Sequence, residues 1–164
     1  MIPDFDENGN LPSGIINLSL QDFRNHFITS FKDSSTRSEI FKGYLRYSDK
    51  LLPLNVATKQ WIDGSFTTNK ANPNDIDFVT HVDALKVDES SEIQNKILEI
   101  SNSHEIKKEF LCDVFFIPSY PQAIPDLYMH TMNRIKYWRK WFGYDRKMNP
   151  KGIIELEFMD GSFV

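Results

Sequence analysis

The chain has 164 residues, 40% of them apolar and 13% aromatic, enough for one domain with its own core and outside the disordered range. A net charge of −4 argues against a generic polyanion binder, and a single cysteine, Cys112, excludes an internal disulfide framework. No apolar run approaches the roughly 18 residues that span a bilayer, and Met1 to Asp6 lacks the basic start and apolar stretch of a signal peptide, so a cytoplasmic protein is expected.

Residues 1–17 are rich in Pro, Gly and Asn and read as an extended arm. Ser19 is placed to cap a helix whose Leu20, Phe23, Phe27 and Phe31 fall at helical spacing. Thr36, with Glu39 three residues later, is a capping-box signature for a second helix. Its core stripe would be Ile40, Tyr44, Tyr47 and Leu51, with Pro53 just past its end. From about Lys59 the pattern changes. Trp61-Ile62 reads as a short strand running into Gly64-Ser65, Pro73-Asn74 as a turn, and Asp75 to Val82 as an alternating strand. Ser90 to Ile100 has helical periodicity, with Ile93, Ile97 and Ile100 on one side. Phe110 to Ile117 is almost continuously apolar, as a central strand would be. Pro118, Pro121 and Pro125 are expected to keep the next loop irregular. A helix from Asp126 to Phe142 follows, with Leu127, Thr131, Ile135, Trp138 and Phe142 on one face, and Lys151 to Phe158 is a last strand. Alternating strands and helices, without repeats or linkers, predict a single α/β domain over residues 1–164.

The chemistry concentrates in Asp63-Gly64-Ser65 and Asn74-Asp75-Ile76-Asp77. Asp75 and Asp77 are two apart on a predicted strand, so both carboxylates face one side and repel unless a positive charge lies between them. A hard divalent cation, Mg²⁺ or Mn²⁺, suits such an oxygen pair and is completed by substrate phosphates. Asp113 sits inside the apolar run Leu111 to Phe116, where an ionised carboxylate is costly alone; it meets the same metal or pairs with a core arginine. Gly64 allows close backbone approach, and the Ser65 hydroxyl and the N–H groups of a following helical turn would face a phosphate. Singly, Gly-Ser is an ordinary turn and two aspartates after Pro-Asn can simply open an exposed strand; the combination in this order is what carries the inference.

Other residues carry less. His81 shares the Asp75/Asp77 strand face by parity but reads as an ordinary polar strand histidine, and His26, His104 and His130 lack metal-ligand spacing. Cys112 points to the opposite face from Asp113 and reads as core. Trp138, Trp141 and Phe142 fall at helical spacing and read as core rather than a base-stacking surface. Lys70, between the motif halves, is a candidate phosphate contact or a solvated loop residue. Residues 126–150 hold Arg134, Lys136, Arg139, Lys140, Arg146 and Lys147 against Asp126 and Asp145, a local excess of four positive charges in an acidic chain. This stretch would meet a phosphate-bearing substrate or an acidic partner, or be a solvated helix face.

Gly64-Ser65, a short spacer, Asp75-Ile76-Asp77 and a later strand aspartate at Asp113 resemble the DNA polymerase beta-like nucleotidyltransferase superfamily, the motif core spanning about residues 59–118. The run Asp63 to Lys70, with Pro73 to Asp77 and the opening Leu11-Pro12-Ser13-Gly14-Ile15, also resembles a group of short, uncharacterised bacterial and phage-associated nucleotidyltransferase-like proteins. Haloacid-dehalogenase-like phosphatases also use an aspartate pair, but at the end of a hydrophobic strand rather than its beginning. The superfamily resemblance implies a small mixed sheet flanked by helices, with two Mg²⁺ ions held by Asp75, Asp77 and Asp113. It implies that Ser65 holds the terminal phosphates of a nucleoside triphosphate such as ATP; from the residues themselves, Gly64, Lys70 and Arg134 are further candidate phosphate contacts. An acceptor hydroxyl on a protein, an RNA end or a small molecule would attack the α-phosphorus and release pyrophosphate, with Asp113 helping to take its proton. Larger members carry an additional helical domain; here only the basic helix follows the core, where it would substitute for that domain or dock a protein partner. The alternative expectation is a binding module of a toxin–antitoxin or defence system, holding nucleotide or partner without turnover.

Overall fold

The computed structural model describes residues 2–164. Six strands form one mixed sheet: β1 (Gly14–Asn17), β2 (Ala57–Asp63), β3 (Ile76–Asp83), β4 (Cys112–Ser119), β5 (Gly152–Met159) and β6 (Ser162–Phe163). Their spatial order is β1-β5-β2-β3-β4, with β6 paired to β5. β1 runs parallel to β5 and β3 parallel to β4, whereas β2 is antiparallel to both β3 and β5. The α/β expectation, with a mixed sheet flanked by helices, holds.

Strand alternation sends two sets of side chains to two cores. One face meets α1 (Leu20–Arg24), α2 (Arg37–Leu51) and α5 (His104–Phe110), burying Phe23, Phe27, Tyr44, Tyr47, Phe78 and Phe110 together. Polar groups within this core are paired: the Tyr44 hydroxyl donates to Gln60 Oε1 at 2.6 Å, and Gln60 Nε2 donates to Thr80 Oγ1 at 2.9 Å. The opposite face carries Trp61, Val79, Ile117 and Ile153 against Trp138 and Phe142 of α6 (Pro125–Phe142). The stripe expected on α6 is therefore the buried one. At the far end of that helix, Thr131 Oγ1 donates to the Pro118 carbonyl and accepts from the Tyr120 amide, fixing α6 to the end of β4.

Several local expectations change. The arm ends in a strand, because residues 14–17 pair in register with β5. Ser19 does cap α1, accepting from the Asp22 amide, but the following turn, Asn25–Thr29, is a π-helix and Phe31 lies beyond it. Thr36 makes no side-chain cap for α2; Ser34 Oγ accepts from the Arg37 amide at 3.1 Å, and Glu39 turns outward to Lys42. Pro118 belongs to β4 rather than to the loop, which edge position permits. α3 (Ala84–Asp88) precedes α4 (Ser91–Glu99), which Ser90 caps by accepting from the Ile93 amide rather than joining the helix. Phe110 ends α5 instead of opening β4, and Leu111 makes the reversal with φ +56°, a left-handed position more often given to glycine.

Candidate functional site

The register of the sheet sets three aspartates in one line. Asp63 at the end of β2 pairs with Asp77 on β3, which pairs with Asp113 on β4. Residues opposite one another share a face, so all three carboxylates stand on the face that α6 covers farther along. Asp75 lies just before β3 begins, beside Asp77.

Charge within this row is unevenly compensated. Lys151, only 4% exposed by side chain, stands 2.8 Å from Asp63 Oδ1 and donates to the Gly64 carbonyl. Asp63 Oδ1 is buried and has no hydrogen-bond partner beyond this ion pair. Burial pushes the Asp63 carboxyl up to about 6, with Lys151 pulling it down against that effect. Lys107 of α5 bridges Asp75 at 2.9 Å and Asp113 at 2.5 Å. Asp113 is thus ion-paired, though to a lysine rather than an arginine. Among the described residues no cation pairs with Asp77 within 4 Å. Burial, then the charges of Asp75, Asp113 and Asp63, push its carboxyl up to about 7.

An open cleft of about 830 Å³ rises from this row. Asp63, Asp75 and Asp77 form its acidic side, and Gly64, Ser65, Thr68, Asn69 and Lys70 one wall. Gly64 has φ +75°, and a Cβ there would collide with Asp77 Oδ2, so only glycine lets the chain turn this close to the carboxylate. Ser65 opens a three-residue 3₁₀ turn, Ser65–Thr67, so the helical turn expected after Gly64 is a single one and the wall offers one turn of backbone amides. Arg37, buried beneath, holds this wall in shape. Its guanidinium donates to the carbonyls of Phe27, Phe66, Thr68 and Lys70 and stacks on Phe31, 3.7 Å from the ring centroid.

The opposite wall is Tyr144, Asp145, Arg146, Lys147 and Asn149. Asp145 organises it by accepting from the Lys147 and Asn149 amides and from Asn149 Nδ2 and Asn10 Nδ2. These bonds hold the Asp145 carboxyl well below the usual range. The N-terminal arm bridges the two walls: Asn10 reaches Asp145, and the Gly9 carbonyl accepts from the Asn69 amide.

Of the residues singled out from sequence, Gly64, Ser65, Lys70, Asp75 and Asp77 line the cleft, and Asp113 joins through the sheet register and Lys107. Arg134 does not; it lies on α6 over the Tyr137 ring, outside the residues lining the cleft. His81 is buried against Trp61 with its imidazole pushed down to about 4, and Cys112 is buried in the core as expected. Sequence reading passed over Asp63, Lys107, Lys151 and Arg37. A carboxylate directly before Gly-Ser was a usable signal for Asp63; nothing local marks the other three, whose roles come from distant chain segments.

The donor chemistry suits a hard divalent cation: clustered carboxylates, of which Asp77 has no cation within 4 Å. The spacing does not yet close around an ion. Among the described residues no group of three His, Cys, Asp or Glu is arranged to hold one, and Lys107 pairs with both Asp75 and Asp113.

Fold and site together define a small mixed α/β domain with an acidic row at the strand ends, faced by a basic loop. The chain belongs to DUF6932, a family of unknown function, whose model matches residues 3–157. Comparison with curated proteins and with solved structures gives no match. Among the described residues no helix is long and apolar enough to cross a membrane.

Proposed function

We propose that the domain is a Mg²⁺-dependent nucleotidyltransferase, moving a nucleoside monophosphate from a triphosphate to an acceptor hydroxyl. The observation that carries this reading is one cleft in which an acidic row with an uncompensated member is flanked by Lys70 on one wall and by Arg146 and Lys147 on the other. A triphosphate needs cations along its length and a metal at the reacting phosphorus, and the cleft separates those two requirements. Asp75, Asp77 and Asp113 would hold the metal, whose bound charge supplies stabilisation of the pentavalent phosphorus and the leaving pyrophosphate. Ser65 and the Gly64 turn orient the phosphates against the acidic row, while Arg146 and Lys147 hold the distal ones. Asp113, on the edge strand beside solvent, receives the proton of the attacking hydroxyl.

Lys107 favours a second reading, a nucleotide- or partner-binding module without turnover, because its ammonium already neutralises two of the three carboxylates. Calorimetry with each of the four ribonucleoside triphosphates, in Mg²⁺ and in EDTA, tests the site. The transferase reading expects metal-dependent binding that disappears in Asp75→Ala/Asp77→Ala, and pyrophosphate release that disappears with it. Binding without pyrophosphate release would leave the module; no triphosphate binding would remove both nucleotide readings.

A further inference from the structure

The outer face of α6 is unlike the other helix surfaces of this molecule. Trp141 is 67% exposed and Tyr137 50% exposed, one helical turn apart. Their rings lie within 3° of parallel with centroids 6.4 Å apart, and the Arg134 guanidinium sits over Tyr137, 5.3 Å from its centroid. From Leu127 to Tyr144 there is no acidic residue, while Arg134, Lys136, Arg139 and Lys140 all fall within that stretch. A helix face that merely needs solvation mixes signs, as Glu39–Lys42 and Glu92–Lys96 do elsewhere in this chain. The strip also continues past the helix. Tyr144, itself exposed, lines the carboxylate cleft together with Arg146 and Lys147.

We propose that this face binds single-stranded nucleic acid, with Tyr137 and Trp141 as stacking platforms for bases and Arg134, Lys136 and Lys140 meeting phosphates. Parallel aromatic rings flanked by cations suit unstacked bases, whose faces are available in single strands and hidden in duplexes. A protein interface fits less well, because lysines are depleted from the cores of such interfaces and Lys136 and Lys140 would have to be desolvated. The rest of the chain, with a net charge of −8 outside this basic stretch, repels the strand and confines it to this strip. The strand would be led past Tyr144 into the cleft, where its end is the acceptor. That last step rests on the transferase reading; the binding surface does not.

Fluorescence anisotropy with labelled 12-nucleotide oligo-U and oligo-dT tests the surface on the full chain. Binding is expected at 50 mM salt and should weaken about twentyfold by 200 mM for three phosphate contacts. Tyr137→Ala/Trp141→Ala should lose about tenfold or more, and Lys136→Glu/Lys140→Glu should bind worse still, while Trp141→Phe keeps the stacking platform. Trp61 and Trp138 are buried, so oligonucleotide quenching of tryptophan emission should be present in wild type and absent in Trp141→Phe. The tighter of the two oligonucleotides assigns RNA or DNA as the strand. Asp77→Asn should bind oligonucleotide like wild type, which separates this surface from the cleft. If it binds but no labelled nucleotide is ever transferred to the oligonucleotide, the surface stands and the acceptor step falls. No binding at 50 mM salt, equal binding by the α6 variants, or equal binding of duplex would overturn the proposal. So would a defined oligomer, seen by light scattering without oligonucleotide binding and dispersed by Trp141→Ala, which would make the face a protein interface.

Discussion

Asp77→Asn should make the metal-free protein more stable, against the usual direction for a substitution in a well-packed site. Its carboxyl is moved from an ordinary 3.8 to about 7 by burial and by Asp75, Asp113 and Asp63. A carboxyl raised in the folded state binds a proton that the unfolded chain has lost. Stability from this group is therefore whole below pH 4 and drains away as pH rises through 7. At about 1.36 kcal/mol for each pH unit between the two values, the loss by pH 8 has an upper bound of about 4 kcal/mol. Asparagine keeps the shape and removes the charge. Even half of that gain would raise Tm by about 4–8 °C in a domain of this size. The assay is thermal unfolding of wild type and Asp77→Asn in EDTA at pH 5 and pH 8. His81, pushed down to about 4, subtracts stability from both proteins as pH falls below 6.5, so the comparison is made between proteins at each pH. The gain should be about 40% of its full size at pH 5 and full at pH 8, and Mg²⁺ should stabilise wild type alone. An Asp77→Asn protein that melts at or below wild type at pH 8 would refute the reasoning that this carboxylate lacks a cation.

Three further outcomes follow from the same geometry. Lys107→Met should tighten Mn²⁺ binding, read by electron paramagnetic resonance, and lower metal-free stability, because the ammonium competes for Asp75 and Asp113; unchanged Mn²⁺ affinity would mean the ion binds elsewhere. Gly64→Ala should abolish triphosphate binding and cost about 1–3 kcal/mol, since the new methyl meets Asp77 Oδ2 at a positive φ; urea unfolding and calorimetry measure the two effects. Arg37→Met should cost about 3–5 kcal/mol and expose the amides of residues 66–70 to hydrogen exchange, with Arg37→Lys failing to restore them, because one ammonium cannot replace a planar fork serving four carbonyls.

Local patterns in the sequence determined the elements and half of the site. Alternation placed Asp77 on the strand face opposite the buried Phe78, and the 3.6-residue period gave α2 and α6 their core stripes. Helical spacing also misled. It grouped Trp141 with Trp138 as core, although the two lie about 60° apart around α6 and only Trp138 is buried, Trp141 falling past the edge of the core stripe. α5 escaped notice because Leu111, not a glycine, ends it, and that short helix carries the lysine between Asp75 and Asp113. Tertiary structure alone decided the rest. The sheet register brought Asp63 into line with Asp77 and Asp113 from strands far apart in the chain. It also buried Lys151 beside Asp63, sent Arg37 under the Gly64–Lys70 wall and set the arm at Asn10 against Asp145. Periodicity reports which face a side chain takes; which charges meet there depends on strand order and register, and those arise only when the whole core closes.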